Sequence, residues 1–173
     1  MSVQNEPAAI LVNSGQSEGE RGLKKFCFAC LFFFWAATCF AAPVHEVDYS
    51  GLIGKIGAEK GKVVVVNFWA TWCLPCRMEI PDLIKIRNQF SEKDVAVFGV
   101  SIDQEIGSIT EFSRLSGINY TLLHARDDVS IGFELRGIPR TVIYNRKGEK
   151  VVDRLGAVEF ASLSGEISKL LKD

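Results

Sequence analysis

The sequence predicts an α/β protein in which a mixed central sheet is flanked by helices on both faces. Three observations carry this prediction. The run Val63-Val64-Val65-Val66-Asn67-Phe68-Trp69 is β-branched and aromatic almost throughout, too apolar for anything but a strand buried on both sides. Soon after it, across residues 78–86, apolar residues return every three or four positions, the period of a helix. Towards the C-terminus two β-rich runs flank Asn145-Arg146-Lys147-Gly148 and lead into an amphipathic segment, so strand–helix alternation ends in a hairpin and a helix.

Taken in order, residues 44–62 read as a lead-in with a short helix over 52–58. The strand 63–69 and the helix around 78–86 follow, then the polar turn Ser91-Glu92-Lys93-Asp94 and a second buried strand at 95–102. Residues 106–116 form a helix that presents Ile109, Phe112 and Leu115 on one face, and Gly117 stops it. A brief strand at 120–123 and a short helix at 129–135 come next. Strands at 140–144 and 149–154 make the hairpin, and 158–171 closes the chain as a helix. No repeats or low-complexity tracts appear, so one domain over 43–173 suffices.

At 173 residues, 47% hydrophobic and 24% charged, the chain has room for one core. Its net charge of -1 gives no basis for a nucleic-acid partner or for attraction to an anionic membrane surface.

The chemistry centres on Trp72-Cys73-Leu74-Pro75-Cys76, where the first strand gives way to its helix. Two thiols three residues apart at a helix start can close a small disulfide ring, and they sit at the positive end of the helix dipole, which favours thiolate over thiol. Two other readings compete. Half of a zinc site needs two more ligands, and the domain offers only His45 and His124, in no ligand-like cluster. A purely structural bridge closing so short a loop restrains little unfolded-chain entropy. A redox-active pair is the stronger reading, and no metal or cofactor is called for. Pro75 fixes φ in the first turn, where its missing N–H costs least, and Leu74 leaves the dipole unopposed by a nearby acid. Trp69 and Trp72 are expected to pack under and beside the thiols. Arg140 either tunes the thiolate or caps a strand.

Five cysteines are present, but Cys27, Cys30 and Cys39 fall in an apolar N-terminal run. Lys24-Lys25 leads into residues 26–38, almost wholly apolar, followed by Cys39-Phe40-Ala41-Ala42: a basic start, an apolar stretch and small residues at the end. This reads as a secretory signal over 23–42, cleaved after Ala41 or Ala42, that exports the protein to the periplasm. The alternative is an uncleaved anchor tethering it to the inner membrane, although the stretch is shorter than the ~20 apolar residues of a full span. Residues 1–22 are polar, carry Glu6, Glu18 and Glu20 and show no core pattern; they read as an unstructured extension, with translation expected to begin at Leu23.

The segment from Val65 to Pro81, with Trp69-Ala70-Thr71-Trp72-Cys73-Leu74-Pro75-Cys76 at its centre, resembles the active-site signature of the TlpA/ResA-like family of extracytoplasmic thiol–disulfide oxidoreductases. Gly137-Ile138-Pro139-Arg140-Thr141 resembles that family's cis-proline loop. The resemblance runs from about Lys62 to the C-terminus. It implies a thioredoxin fold with an extra helix–strand insertion between Gln104 and Leu123. It makes Cys73 the attacking thiol, Cys76 the resolving thiol, Glu79 an acid that takes the resolving proton, and Pro139 the cis-proline. Trp72, Ile138 and Pro139 would meet the substrate. Asn67 stands where thioredoxin itself has a titratable aspartate, so Glu79 is left as the proton handler. The short, glycine-rich stretch 47–61 departs from the longer opening hairpin of the family.

The implied function is reduction of protein disulfides by a monomer, with electrons from a membrane thiol donor of the DsbD type. One family task is keeping the haem-attachment cysteines of c-type cytochromes reduced. A thiol peroxidase of related fold and a copper chaperone using the two thiols are the alternatives, with Met78 the only nearby extra ligand for copper.

Overall fold

A computed structural model describes residues 44–173; the signal segment expected over 23–42, the extension expected before it and Cys27, Cys30 and Cys39 lie outside the described residues. Eleven elements follow in order: β1 (His45–Val47), α1 (Tyr49–Ala58), β2 (Val63–Trp69), α2 (Leu74–Gln89), β3 (Val95–Ser101), α3 (Ile106–Ser116), β4 (Thr121–Ala125), α4 (Asp127–Gly132), β5 (Arg140–Tyr144), β6 (Lys150–Leu155) and α5 (Phe160–Leu170). They build a six-stranded sheet in the order β1-β4-β3-β2-β5-β6. The β1, β4, β3 and β2 strands run parallel, and β5 and β6 join antiparallel. The architecture is the thioredoxin fold, a mixed sheet with helices on both faces, and the α3–β4 insertion places β4 between β3 and β1.

The period-2 geometry of β2 explains why all seven of its residues are buried. Val63, Val65 and Trp69 face a core shared with Ile80 and Leu83 of α2, Ile109 of α3, and Leu163 and Ile167 of α5. Val64, Val66 and Phe68 face the opposite core, with Leu52 and Ile56 of α1 and Val129 of α4. A strand sandwiched in this way has no face left for polar residues, so the one polar side chain in it, Asn67, needs a special partner.

Two expectations are corrected. The lead-in is not only a helix: His45–Val47 forms a short strand parallel to β4, and α1 begins three residues earlier than expected, capped by the Asp48 carboxylate accepting the Gly51 N–H at 2.7 Å. Leu115 does not share the inward face of α3; it is exposed, while Ile109 and Ser113 are the buried residues. The C-terminus of α3 is set by Gly117, whose φ of 65° is the left-handed cap that glycine adopts at least cost.

Candidate active site

The C-terminal end of β2 runs into a tight turn in which the Ala70 carbonyl accepts the Cys73 N–H at 3.2 Å, with Thr71 and Trp72 at its centre. Cys73 is then the N-cap of α2, its backbone extended and its sulfur accepting the Cys76 N–H at 3.3 Å. Pro75 lies in the first turn, where no intrahelical donor is lost. Cys73 and Cys76 are joined as a disulfide with their Cα atoms 5.3 Å apart. Both are enclosed in the disulfide form, at 6% and 1% exposure.

Below the sulfurs, one turn further along α2, Glu79 is only 3% exposed. Its Oε2 accepts from Asn67 Nδ2 at 3.0 Å, and its Oε1 accepts from the Val158 N–H at 3.0 Å and the Thr141 hydroxyl at 3.3 Å. The second Asn67 amide hydrogen goes to Thr141 Oγ1 at 3.1 Å, and the β2–β5 register sets Asn67 directly opposite Thr141. Donors from β2, from β5 and from the segment before α5 therefore converge on one carboxyl group of α2. Burial pushes its pKa above the ordinary 4.5, against the pull of the Val158, Asn67 and Thr141 hydrogen bonds. A carboxyl group whose pKa is raised, one helical turn from a cysteine, can accept and return a proton. On the same side of the sheet the Tyr120 hydroxyl is buried and its pKa is raised, first by desolvation and then by Glu79, so it stays protonated.

The Ile138–Pro139 bond is cis. Pro139 is buried and Ile138 half-buried, and the Pro139 carbonyl accepts the Gly156 N–H at 2.8 Å. Trp69 lies in the same apolar core as the two cysteines, its ring 5.5 Å from that of Phe112. Trp72 is corrected: it is 67% exposed at the outside of the turn, where with Leu74 and Met78 it forms an apolar rim. Arg140 does not serve the thiolate. Its guanidinium forks onto Asp153 at 2.7 and 2.8 Å and donates to the Phe133 carbonyl at 2.6 Å. Glu79 does not pair with Arg77 or Lys85 either; Lys85 binds Asp82 at 2.8 Å.

Sequence reading missed three contributors. Thr141 and the Val158 N–H reach Glu79 from distant parts of the chain, and the only local hint was an asparagine inside an apolar strand. Asp103, just beyond β3, binds the active-site turn through Thr71, with no signature beyond a polar pair at a strand end. Among the described residues there is no group of three or more His, Cys, Asp or Glu that could hold a metal ion.

Comparison with known proteins agrees with this geometry. The AhpC/TSA family model matches residues 55–154. Thioredoxin-like protein YneN of Bacillus subtilis is 31% identical over 101 residues, 57% of this chain and 59% of that protein. Thiol-disulfide oxidoreductase ResA of Bacillus subtilis is 28% identical over 126 residues, 72% of this chain and 70% of its own length. The chain thus spans less than two thirds of the YneN protein and slightly more of ResA. Among solved structures, a thiol:disulfide interchange protein of the thioredoxin family from Chlorobium tepidum superposes with a TM-score of 0.62 at 25% identity, covering 66% of this chain and 83% of that one.

Proposed function

Because this chain belongs to the AhpC/TSA family, we propose that it is a ResA-like thiol–disulfide oxidoreductase that reduces protein disulfides outside the cytoplasm. The observation that carries this reading is the Cys73–Cys76 pair at the start of α2 with a buried carboxyl group beneath it.

In the reduced protein the Cys73 sulfur faces the free N–H groups and positive pole of α2, which stabilise its thiolate. The thiolate attacks one sulfur of a substrate disulfide. A Cys73–substrate bond forms, the substrate S–S bond breaks, and the departing sulfur takes a proton from solvent. Cys76 passes its proton to Glu79 and attacks the Cys73 sulfur; the Cys73–Cys76 bond forms, the Cys73–substrate bond breaks, and the second substrate sulfur leaves as a thiolate that takes a proton from solvent, to which Glu79 gives up its own. Two electrons have moved from the cysteine pair to the substrate, which is now a dithiol. Trp72, Leu74 and Ile138 provide apolar contact around the pair, and the Ile138 backbone beside Pro139 pairs with an extended substrate segment.

The cycle closes when another dithiol reduces Cys73–Cys76, and a membrane thiol donor of the DsbD type fits an exported monomer. Export is supported by the basic, apolar and small-residue order of residues 23–42, whether the segment is cleaved or kept as an anchor. Keeping the haem-attachment cysteines of c-type cytochromes reduced is the corresponding task.

An equilibrium redox titration tests the direction: a potential near about −270 mV supports a reductant, and one near about −120 mV overturns it in favour of an oxidant. A Cys76→Ser variant is expected to trap its substrate as a mixed disulfide on Cys73. Peroxide consumption without a dithiol requirement, or tight stoichiometric copper binding by the reduced pair at neutral pH, overturns the reading.

A further inference from the structure

The turn that delivers Cys73 is fastened from outside the helix it starts. Asp103 lies two residues past β3 and is buried, and its carboxylate accepts three hydrogen bonds from two residues. Oδ2 accepts the Thr71 N–H at 2.9 Å and the Ser101 hydroxyl at 2.6 Å, while Oδ1 accepts the Thr71 hydroxyl at 2.7 Å. Both polar donors of one turn residue are therefore held by one side chain. The Asp103 backbone is fixed in turn: its N–H donates to Ser101 Oγ at 3.1 Å, and its carbonyl lies 2.7 Å from His124 Nε2 on β4. The neighbouring Ile102 N–H donates to the Trp69 carbonyl at 2.9 Å.

We propose that Asp103 is a positioning residue for the redox pair, acting through Thr71 to fix the turn that sets Cys73 at the mouth of α2. The inference rests on the oxidoreductase reading above. The turn closes on itself with one hydrogen bond, and Trp72 at its centre points to solvent, so neither supplies the packing that would hold its orientation. Orientation matters here because the influence of the helix end fades within the first turn. A small rotation of the Ala70–Cys73 turn carries the sulfur off the amide axis and weakens its thiolate. Asp103 also carries a negative charge close to the turn, and a simple charge effect has the opposite sign: removing that charge would make Cys73 more acidic. Positioning predicts that breaking the clasp makes Cys73 less acidic.

The test uses the reduced full chain, alkylated with iodoacetamide across a pH series and followed at the Cys73 peptide by mass spectrometry. In parallel, the rate of reduction of a model disulfide is measured. Thr71→Val keeps shape and N–H but loses the hydroxyl bond, Asp103→Asn keeps shape but loses the charge, and Thr71→Ser keeps every donor. Thr71→Val and Asp103→Asn are expected to raise the alkylation midpoint and slow disulfide reduction about three- to tenfold, the range that misalignment from a helix end allows. Thr71→Ser is expected to return both to the starting values. The double variant should lose less than the sum of the two single losses, because both act on the same contact. An unchanged midpoint in Thr71→Val, a lowered midpoint in Asp103→Asn, or full additivity overturns the proposal. Should Asp103→Asn fail to fold, the Thr71→Val and Thr71→Ser comparison decides alone. If Cys73 of the unaltered protein alkylates no faster than free cysteine, it is the redox reading that fails.

Discussion

Glu79→Gln separates the two halves of the reaction, and its consequences can be worked from the hydrogen bonds. In the glutamine the side-chain oxygen takes the place of Oε1 and keeps both the Val158 N–H and the Thr141 hydroxyl. The amide nitrogen takes the place of Oε2 and faces the Asn67 donor that now binds it at 3.0 Å. One buried donor is left unpaired, at a cost of about 1–3 kcal/mol. Opposing this, the buried charge is gone, and each unit by which the Glu79 pKa stands above its ordinary value returns about 1.4 kcal/mol at high pH. The two effects are of similar size, so the variant should fold near neutral pH.

The sign of the pH dependence follows from the raised pKa. The folded protein holds the Glu79 proton more tightly than the unfolded chain. Its contribution to stability is therefore complete below the ordinary value of 4.5 and is lost as pH rises through the folded pKa. Urea unfolding across pH should show this decline in the parent protein and not in Glu79→Gln. Catalytically, removing a positioned base costs about 10²–10⁴ in the step it serves, and the lower end is expected because the Cys76 thiol can also lose its proton to solvent. The assay is stopped-flow release of a chromogenic thiol from a mixed disulfide preformed on Cys73. Release should be about a hundredfold slower in Glu79→Gln, while the first attack by Cys73 stays within a few-fold. Equal release rates and equal pH profiles in the two proteins would refute a proton-handling role.

Three further outcomes are expected. Gly99→Ala places a Cβ 2.8 Å from Leu122 Cδ2 and from Tyr120 Cε2, so overpacking should cost about 1–3 kcal/mol, read as a lower urea midpoint at unchanged slope. Asn67→Asp sets a second acid against Glu79 Oε2, and the pair cannot ionise twice without large repulsion; stability should fall more steeply with rising pH than in the parent, seen in the same urea series. Asp153→Asn releases the Arg140 fork. The Asp153 pKa is held down to about 2, chiefly by the Arg140 hydrogen bond, so its contribution is present above the ordinary 3.8 and fades as pH falls towards 2. The variant should lack that acid decline, and because the pair is partly exposed the difference should shrink in high salt, as acid-unfolding curves at two ionic strengths will show.

The buried strands were legible because burial on both faces leaves a continuous apolar run, and β2 and β3 fall within a residue of the sequence reading. The α3 helix was legible at both ends, the C-terminal one through Gly117. Leu115 was misplaced for a geometric reason. Six residues beyond Ile109, at about 100° each, it has turned well away from the inward face, whereas Ser113 at four residues has nearly returned to it. The β1 strand escaped because three residues are too few to show a period, and its pairing with β4 depends on chain that arrives much later. The same limit applies to the site. The cysteine pair is local and announces itself. The burial of Glu79 depends on Asn67, Thr141 and Val158, and that of Asp103 on Ser101 and His124, contacts that exist only once the sheet has assembled.

A thiolate at Cys73 and a carboxylate near Cys76 make opposing demands, since each negative charge disfavours the other. The helix resolves part of this by distance. Glu79 follows Cys73 by six residues, an axial separation of about 9 Å at the usual rise. At an effective dielectric constant of about 20, two full charges that far apart repel by about 2 kcal/mol. Burial resolves more of it, because a carboxyl group whose pKa is raised carries less of its charge when Cys73 is ionised. Glu79→Gln should therefore make Cys73 somewhat more acidic, by up to about tenfold, even as it slows the attack by Cys76. The midpoint of Cys73 alkylation in the reduced variant reads this directly. A shift towards higher pH, with slower resolution, would mean that Glu79 supports Cys73 through structure and that the charge account of this site is wrong.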